Sequence, residues 1–336
     1  MNTMKWLLKR ELWEHKGAFL WTPMLVGFLG LLLVTVMLLS AQDGAHVSSE
    51  NGVTSWHFGN QPEATAPANV KHATRREVIN GLVPGVILIA PTVIAFAACF
   101  AIFFYACGTL YEERKNRSVL FWKSLPLTDG QTVVSKALVA IVLAPLLAVA
   151  LAIVFNLISM GICVIAQLWA GYLDLPAIFG NPDSFRLPIK LLGALPVYFL
   201  WAMPTVGLLL MVSALAKGNP LLWILAIPLG TGFVLYTLNS MFRFWDDMDW
   251  YWQFTVGRGL LSIVPFSWFK LNTTDVWAVA NSQWASMGQG TTPNPNFSML
   301  GLTWQQLATP NLWVGVAAGA AMIYAAARIR RWKDEG

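Results

Sequence analysis

The side chains able to do chemistry are few and scattered. Asp246, Asp247 and Asp249 fall within residues 242–252, a run that also carries Trp245, Trp250, Tyr251 and Trp252. Three close carboxylates offer the oxygen ligands that calcium or magnesium takes. Adjacent aspartates do not by themselves enclose a cation, so ligand contact and a solvated acidic edge beside aromatic anchors stand as the other readings, the last carrying most weight. His46, His57 and His72 share one polar segment without the compact spacing of a zinc site. Cys99, Cys107 and Cys163 lie in or beside apolar runs and form neither a disulfide framework nor a zinc pattern. A phosphate-binding loop needs a Gly-rich turn ending in Lys and Ser/Thr, and neither GALPVYFL nor ALAKGNP supplies one. No nucleophilic triad can be assembled from the scattered Ser, His and acidic residues.

What would position any such group is a set of long apolar runs. The 336 residues are 56% hydrophobic and only 12% charged, with a mean hydropathy of +0.56, far too apolar for a soluble domain. Six runs are long enough to cross a hydrocarbon core of roughly 30 Å: 18–39, 82–107, 133–161, 189–216, 221–241 and 312–327. The first follows Lys5, Lys9, Arg10 and Lys16 and exceeds the length of a signal-peptide core, so it reads as a retained span. The expected fold is an all-α polytopic membrane protein of six transmembrane helices. Two runs could upset that number. Residues 137–171, interrupted by Asn156, Ser159 and Gln167, fit one helix projecting beyond the bilayer or a pair of broken segments. Residues 254–269 are mildly apolar but contain Gly257, Arg258, Gly259 and Pro265, which favours an interfacial or re-entrant segment over a seventh crossing.

An even number of crossings puts both termini on one side, and charge selects it. Of the 22 Lys and Arg, 14 fall in residues 1–17, 108–136, 217–220 and 328–336, although the other connecting segments, 41–80, 170–190 and 242–308, are together much longer. The dense group is expected to be cytoplasmic. The formal charge of +5 is then a matter of topology, and nucleic acid is not an expected partner. On this plan 1–17 is a cytoplasmic interfacial helix, and 18–241 holds five spans with outer loops 41–80 and 170–190. A larger outer-face region, 242–308, precedes the last span at 309–327 and a basic tail at 328–336. Residues 70–80, the tail of the first outer loop, could become helical against the second span.

The cytoplasmic stretch 110–136 is the most informative. Charged residues are followed by Val119, Leu120, Phe121 and Trp122, then by a turn at Leu125, Pro126 and Leu127. Such an element either docks a cytoplasmic partner through its apolar anchors or is a positively charged loop whose aromatics sit at the lipid surface. Thr128 and Gln131 have the spacing of a capping box at the start of the next helix. At the N-terminus, Met4, Leu8 and Leu12 share a helical face while Trp6 and Trp13 point elsewhere. An interfacial helix anchored in membrane lipids by Trp6, Arg10 and Trp13 is expected, and it could also grip a partner.

Within the spans, Pro84, Pro91, Pro145, Pro196, Pro204 and Pro228 remove backbone donors, and Gly207, Gly230 and Gly232 permit close packing. Asn156, Gln167 and Thr205 could line an internal route or satisfy neighbouring helices. Charges are rare in the central portions of the spans, which argues against a proton relay and suits an amphiphilic or apolar cargo better than a small ion.

The amphiphilic start MKWLLKRELWEHK, the second span ending FFYACGTLYEERKNRSVLFWKSLPLTDGQTVVSK and four further spans together resemble the ABC-2 type transporter permeases, particularly the bacterial export-type members. YEERK, SVLFWKSLP and TDGQTVVSK carry the resemblance most specifically. It implies a multi-pass half-transporter of the bacterial inner membrane that pairs with a second permease copy or a related permease and with two cytoplasmic ABC ATPase subunits. ATP and magnesium would be held by those partners, and this chain would not itself be an enzyme. By the same resemblance the coupling element lies within 112–131, with Glu112, Glu113, Arg114, Lys115, Val119, Leu120, Phe121, Trp122, Leu125 and Pro126 as its contact residues, and 1–16 is the connecting helix. The long segment 242–308 departs from the compact outer elements of many members. A transporter driven by an ion gradient and a non-enzymatic membrane assembly or sensor protein are the competing functions; the first would want a functional polar residue near the bilayer midplane.

Overall fold

The computed structural model describes residues 3–40, 45–50, 53–58, 75–116, 128–179, 182–244, 248–268 and 299–333. It is helical, with one small hairpin. Helix α1 (Thr3–Glu14) leads through a π turn, Gly17–Trp21, into α2 (Thr22–Ser40). Strands β1 (Ala45–Glu50) and β2 (Val53–Phe58) pair antiparallel, with His46 opposite His57. The remaining elements are α3 (Arg75–Lys115), α4 (Asp129–Leu138), a π turn Val139–Leu143, α5 (Ala144–Trp169), the short α6 (Leu175–Phe179), α7 (Pro182–Leu215) and α8 (Pro220–Phe242). After these come α9 (Asp249–Trp252), a π turn Gln253–Arg258, α10 (Met299–Gln305) and α11 (Pro310–Lys333).

Among the described residues, six helical stretches are long and apolar enough to cross a membrane: Gly17–Ser40, Ile79–Lys115, Asp129–Trp169, Lys190–Leu215, Pro220–Phe242 and Pro310–Trp332. The chain is a polytopic helical membrane protein. Each stretch overlaps an apolar run read from the sequence, because in hydrocarbon a helix satisfies every backbone group internally. The ambiguous run 137–171 resolves into one continuous helical stretch from Asp129 to Trp169, in which α4 and α5 join through the π turn rather than breaking. The polar segment 41–80 contains the hairpin, and α3 begins at Arg75, within the tail expected to become helical.

Local chemistry explains the start of α4. Thr128 Oγ1 accepts from the Gln131 amide at 3.2 Å and Gln131 Oε1 accepts from the Thr128 amide at 3.2 Å, the reciprocal capping box expected from the sequence. At the start of α8, Asn219 caps the Leu221 amide and Pro220 sits in the first turn, where its missing donor costs nothing.

Helix α3 is the hub of the bundle, packed against α2, α5 and α7, while α7 makes its most extensive contact with α11. That α7–α11 crossing is set by glycines. A Cβ on Gly207 would stand 2.6 Å from the Gly319 carbonyl oxygen, and one on Gly319 would stand 2.6 Å from the Met203 backbone. By contrast α8 leaves Leu222, Trp223, Leu229 and Phe233 exposed, as a helix in lipid does.

Residues 249–268 do not form a span. Tyr251 donates to the Pro228 carbonyl at 2.8 Å and also meets Thr231 Oγ1, which fixes α9 against the middle of α8. Gly259 then touches Leu208, beyond the midpoint of the apolar stretch of α7, the Ile263 carbonyl accepts from the Tyr198 hydroxyl, and Trp268 packs with Tyr198, Trp201 and Leu312. The described part of the segment is thus packed against α7 and α8. Arg258 holds its guanidinium 3.5 Å over the Trp201 ring, donating to the Trp201 carbonyl at 3.2 Å and to Ser262 Oγ at 3.3 Å.

Candidate functional site

Where α1 meets the last turns of α3 and α11, five charged side chains from four helices form a buried cluster. Lys136 on α4 is its centre. Its Nζ lies 2.9 Å from Glu11 Oε1 on α1, 2.9 Å from Glu113 Oε1 on α3 and 2.9 Å from Thr109 Oγ1. Arg330 on α11 reaches the other oxygen of Glu113 at 2.7 Å, and its Nε approaches Asp129 Oδ1 at 3.3 Å. Glu11 and Lys136 are 1% and 2% exposed, so this is an interior network and not a surface pair.

Each member is delivered by ordinary helical geometry. Leu7 and Glu11 are four residues apart and share the buried face of α1, with Leu8 and Leu12 half-buried beside them. Asp129 lies in the first turn of α4, where an acid is favoured by the helix dipole, and Lys136 follows on the same helix. Arg114 donates to the carbonyls of Ser213 at 2.6 Å and Ala216 at 3.0 Å, which satisfies the C-terminal end of α7.

Around Glu11 the environment is amphiphilic. Tyr105 donates its hydroxyl to Glu11 Oε2 at 3.0 Å, His15 Nε2 lies 4.0 Å from the same oxygen, and the Tyr105 ring packs edge-on against His15 and Phe19. Burial pushes the Glu11 carboxyl upward, but Lys136, the Tyr105 hydrogen bond and His15 outweigh it and hold the pKa below its ordinary value. The carboxylate is therefore kept charged, and the network stays an ionic clamp that joins α1, α3, α4 and α11.

The cluster brackets the stretch on which the sequence reading placed partner contact. Glu113 and Arg114 point into the protein, while Glu112 and Lys115 are exposed on the last turn of α3. Val119, Leu120, Phe121, Trp122, Leu125 and Pro126 lie outside the described residues. On α1, Trp6 and Trp13 are exposed, and Arg10 pairs with Glu14 at 3.0 Å.

The structure does not gather Asn156, Gln167 and Thr205 into one route; each meets a different neighbour. Asn156 donates to the Ile87 carbonyl at 3.4 Å. Gln167 donates to Asn80 at 3.0 Å and accepts from the Asp174 amide at 3.0 Å, closing a polar knot at the far end of α3 and α5. Thr205 faces the Arg258 carbonyl at 3.5 Å. Among the described residues no group of three His, Cys, Asp or Glu could hold a metal ion, and Asp246 and Asp247 lie outside them.

Sequence reasoning missed Glu11, Asp129, Lys136 and Arg330. The available signals were an acid on the inward face of α1 and a lysine embedded in the apolar string VVSKALVAIVL. Their meeting joins positions 125 residues apart and has no local signature. Comparison of the chain with protein families, with curated proteins and with solved structures finds no match.

Proposed function

We propose that this chain is the membrane permease of an ATP-driven exporter, moving a hydrophobic or amphiphilic compound with energy supplied by two cytoplasmic ABC ATPase subunits and paired with a second copy of itself or a related permease. The observation that carries this reading is the buried cluster of Glu11, Glu113, Asp129, Lys136 and Arg330, which ties the connecting helix and three spans together on both flanks of residues 117–127.

A push on a loop moves a bundle only if the loop's two ends are rigidly joined to more than one helix. Here the last turn of α3 and the first turn of α4 are joined through Glu113, Lys136, Arg330 and Asp129, and α1 is added through Glu11. Closure of two ATPase subunits around ATP would press on 112–131, and the clamp would pass the displacement to α3, α4 and α11 as one body. The rarity of charge inside the spans suits an apolar or amphiphilic cargo.

The test is recovery of partners. The tagged full chain is solubilised gently from its native membrane and its stoichiometric partners are identified by quantitative mass spectrometry. An ABC ATPase should be recovered, and it should be lost when Val119, Leu120, Phe121 and Trp122 are replaced by polar residues with the fold retained. Intact recovery of the chain without an ATPase overturns the proposal and turns attention to gradient-driven transport or membrane assembly.

A further inference from the structure

A cavity lies away from the charged cluster, between α3, α5 and α7, and is closed on one side by residues 264–268 and α10. Its volume is about 430 Å³, within the range of roughly 300–1,000 Å³ typical of small-ligand sites. Along α3 its wall runs from Leu88 to Ile102, roughly 20 Å at ~1.5 Å per residue. The space is therefore long and narrow, the shape of one hydrocarbon chain.

Two features define what that chain can be. First, polar groups in the deep wall are turned elsewhere: the Tyr198 hydroxyl donates to the Ile263 carbonyl at 2.8 Å and Cys99 Sγ approaches the same oxygen at 3.5 Å. A polar body placed there would lose its water without gaining a partner. Second, among the described residues that line the cavity Lys190 alone is charged, and it stands at the start of the apolar stretch of α7, at the opposite end of that helix's wall from Tyr198.

We infer that this cavity binds a single-chain amphiphile with an anionic head, the tail lying along α3 and the head near Lys190. A long-chain carboxylate is the simplest such molecule. Binding there needs no ATPase, so the inference stands or falls separately from the function proposed above.

The test uses the purified full chain in phosphatidylcholine nanodiscs with two photoreactive probes, a diazirine-bearing palmitate and the matching hexadecanol. Palmitate should label peptides covering 88–102 and 190–198 and be displaced by unlabelled palmitate. Filling the cavity with Val149→Trp should reduce that labelling about tenfold, the equivalent of ~1.4 kcal/mol. Ala95→Phe fills it from the facing helix and serves if Val149→Trp does not fold. Lys190→Gln should weaken palmitate labelling severalfold and leave hexadecanol labelling unchanged. Labelling spread evenly over lipid-exposed helices such as α8, and insensitive to the filling variants, overturns the proposal. So does equal labelling by acid and alcohol that Lys190→Gln does not alter.

Discussion

Asn156 on α5 donates its amide to the carbonyl of Ile87, the acceptor on α3 that Pro91 leaves without a helical donor four residues later. A proline inside a helix removes one backbone bond, and in hydrocarbon no water replaces it. The polar residue in the third span and the proline in the second are thus one device, at 3.4 Å, joining two helices.

This pairing predicts a thermodynamic coupling. Asn156→Ala in the native background should cost about 0.5–1.5 kcal/mol, the range of hydrogen bonds between membrane helices. In a Pro91→Ala background the helix satisfies Ile87 itself and the same substitution should cost far less. A double-mutant cycle read by unfolding in micelles or nanodiscs checks it; equal costs in both backgrounds would show that the Asn156 amide serves another purpose.

The charged cluster predicts an asymmetry between its partners. Lys136→Met leaves Glu11 and Glu113 buried without their shared cation and should cost about 3–5 kcal/mol. Replacing Glu11 and Lys136 together, as Glu11→Leu with Lys136→Met, removes one of the orphaned acids and should recover part of that loss. Stability of the wild type and the two variants in one detergent measures the difference.

Acid should weaken the same clamp. The folded pKa of Glu11 is held below its ordinary value of 4.5, so its contribution is present above that value and is lost as the pH falls toward the lowered folded one. Stability of the wild-type protein should decline through that acid window, and Glu11→Gln should reduce the slope there. An unchanged slope in the variant would assign the acid sensitivity to other carboxylates.

The α7–α11 crossing should tolerate no side chain at Gly319. An added Cβ would meet the Met203 backbone at 2.6 Å, and backbone cannot swing aside, so Gly319→Ala should cost about 1–3 kcal/mol. Gly230, with open space around it, is the control, and Gly230→Ala should be neutral or mildly stabilising. Thermal unfolding of both variants in the same nanodisc gives the comparison.

Arg258 predicts the behaviour of residues 249–268. Lysine keeps the charge but cannot stack flat on Trp201 while donating to the Trp201 carbonyl and Ser262. Arg258→Lys should loosen the segment and raise protease cleavage within 249–268 while leaving the six spans resistant. Cleavage equal to the native chain would mean that Tyr251, Tyr198 and Trp201 suffice to hold it.

Much of the architecture was legible in the chain because it depends on neighbouring residues. Apolar runs longer than a bilayer core announce helices wherever backbone groups lack water, and Thr128 with Gln131 announces a helix start from a spacing of three. The inward face of α1 was less legible: the residues that go inside are Leu7 and Glu11, with Leu8 and Leu12 at their flank, and an acid on an inward face reads as polar until its partner is known. The hairpin of β1 and β2 was not read at all, since its segment carries no strong alternation of apolar residues.

That this is a helical membrane protein built on long apolar runs follows from the chain alone. Only the tertiary structure decided that Glu11, Glu113, Asp129, Lys136 and Arg330 form one buried cluster, that Asn156 answers Pro91, and that α3, α5 and α7 leave an elongated apolar space. The physical reason is one of range. Hydrophobicity and capping act over a few residues and can be read along the chain, whereas ion pairs and cavities depend on which helix faces meet, and Glu11 with Lys136 shows that such a meeting spans 125 positions.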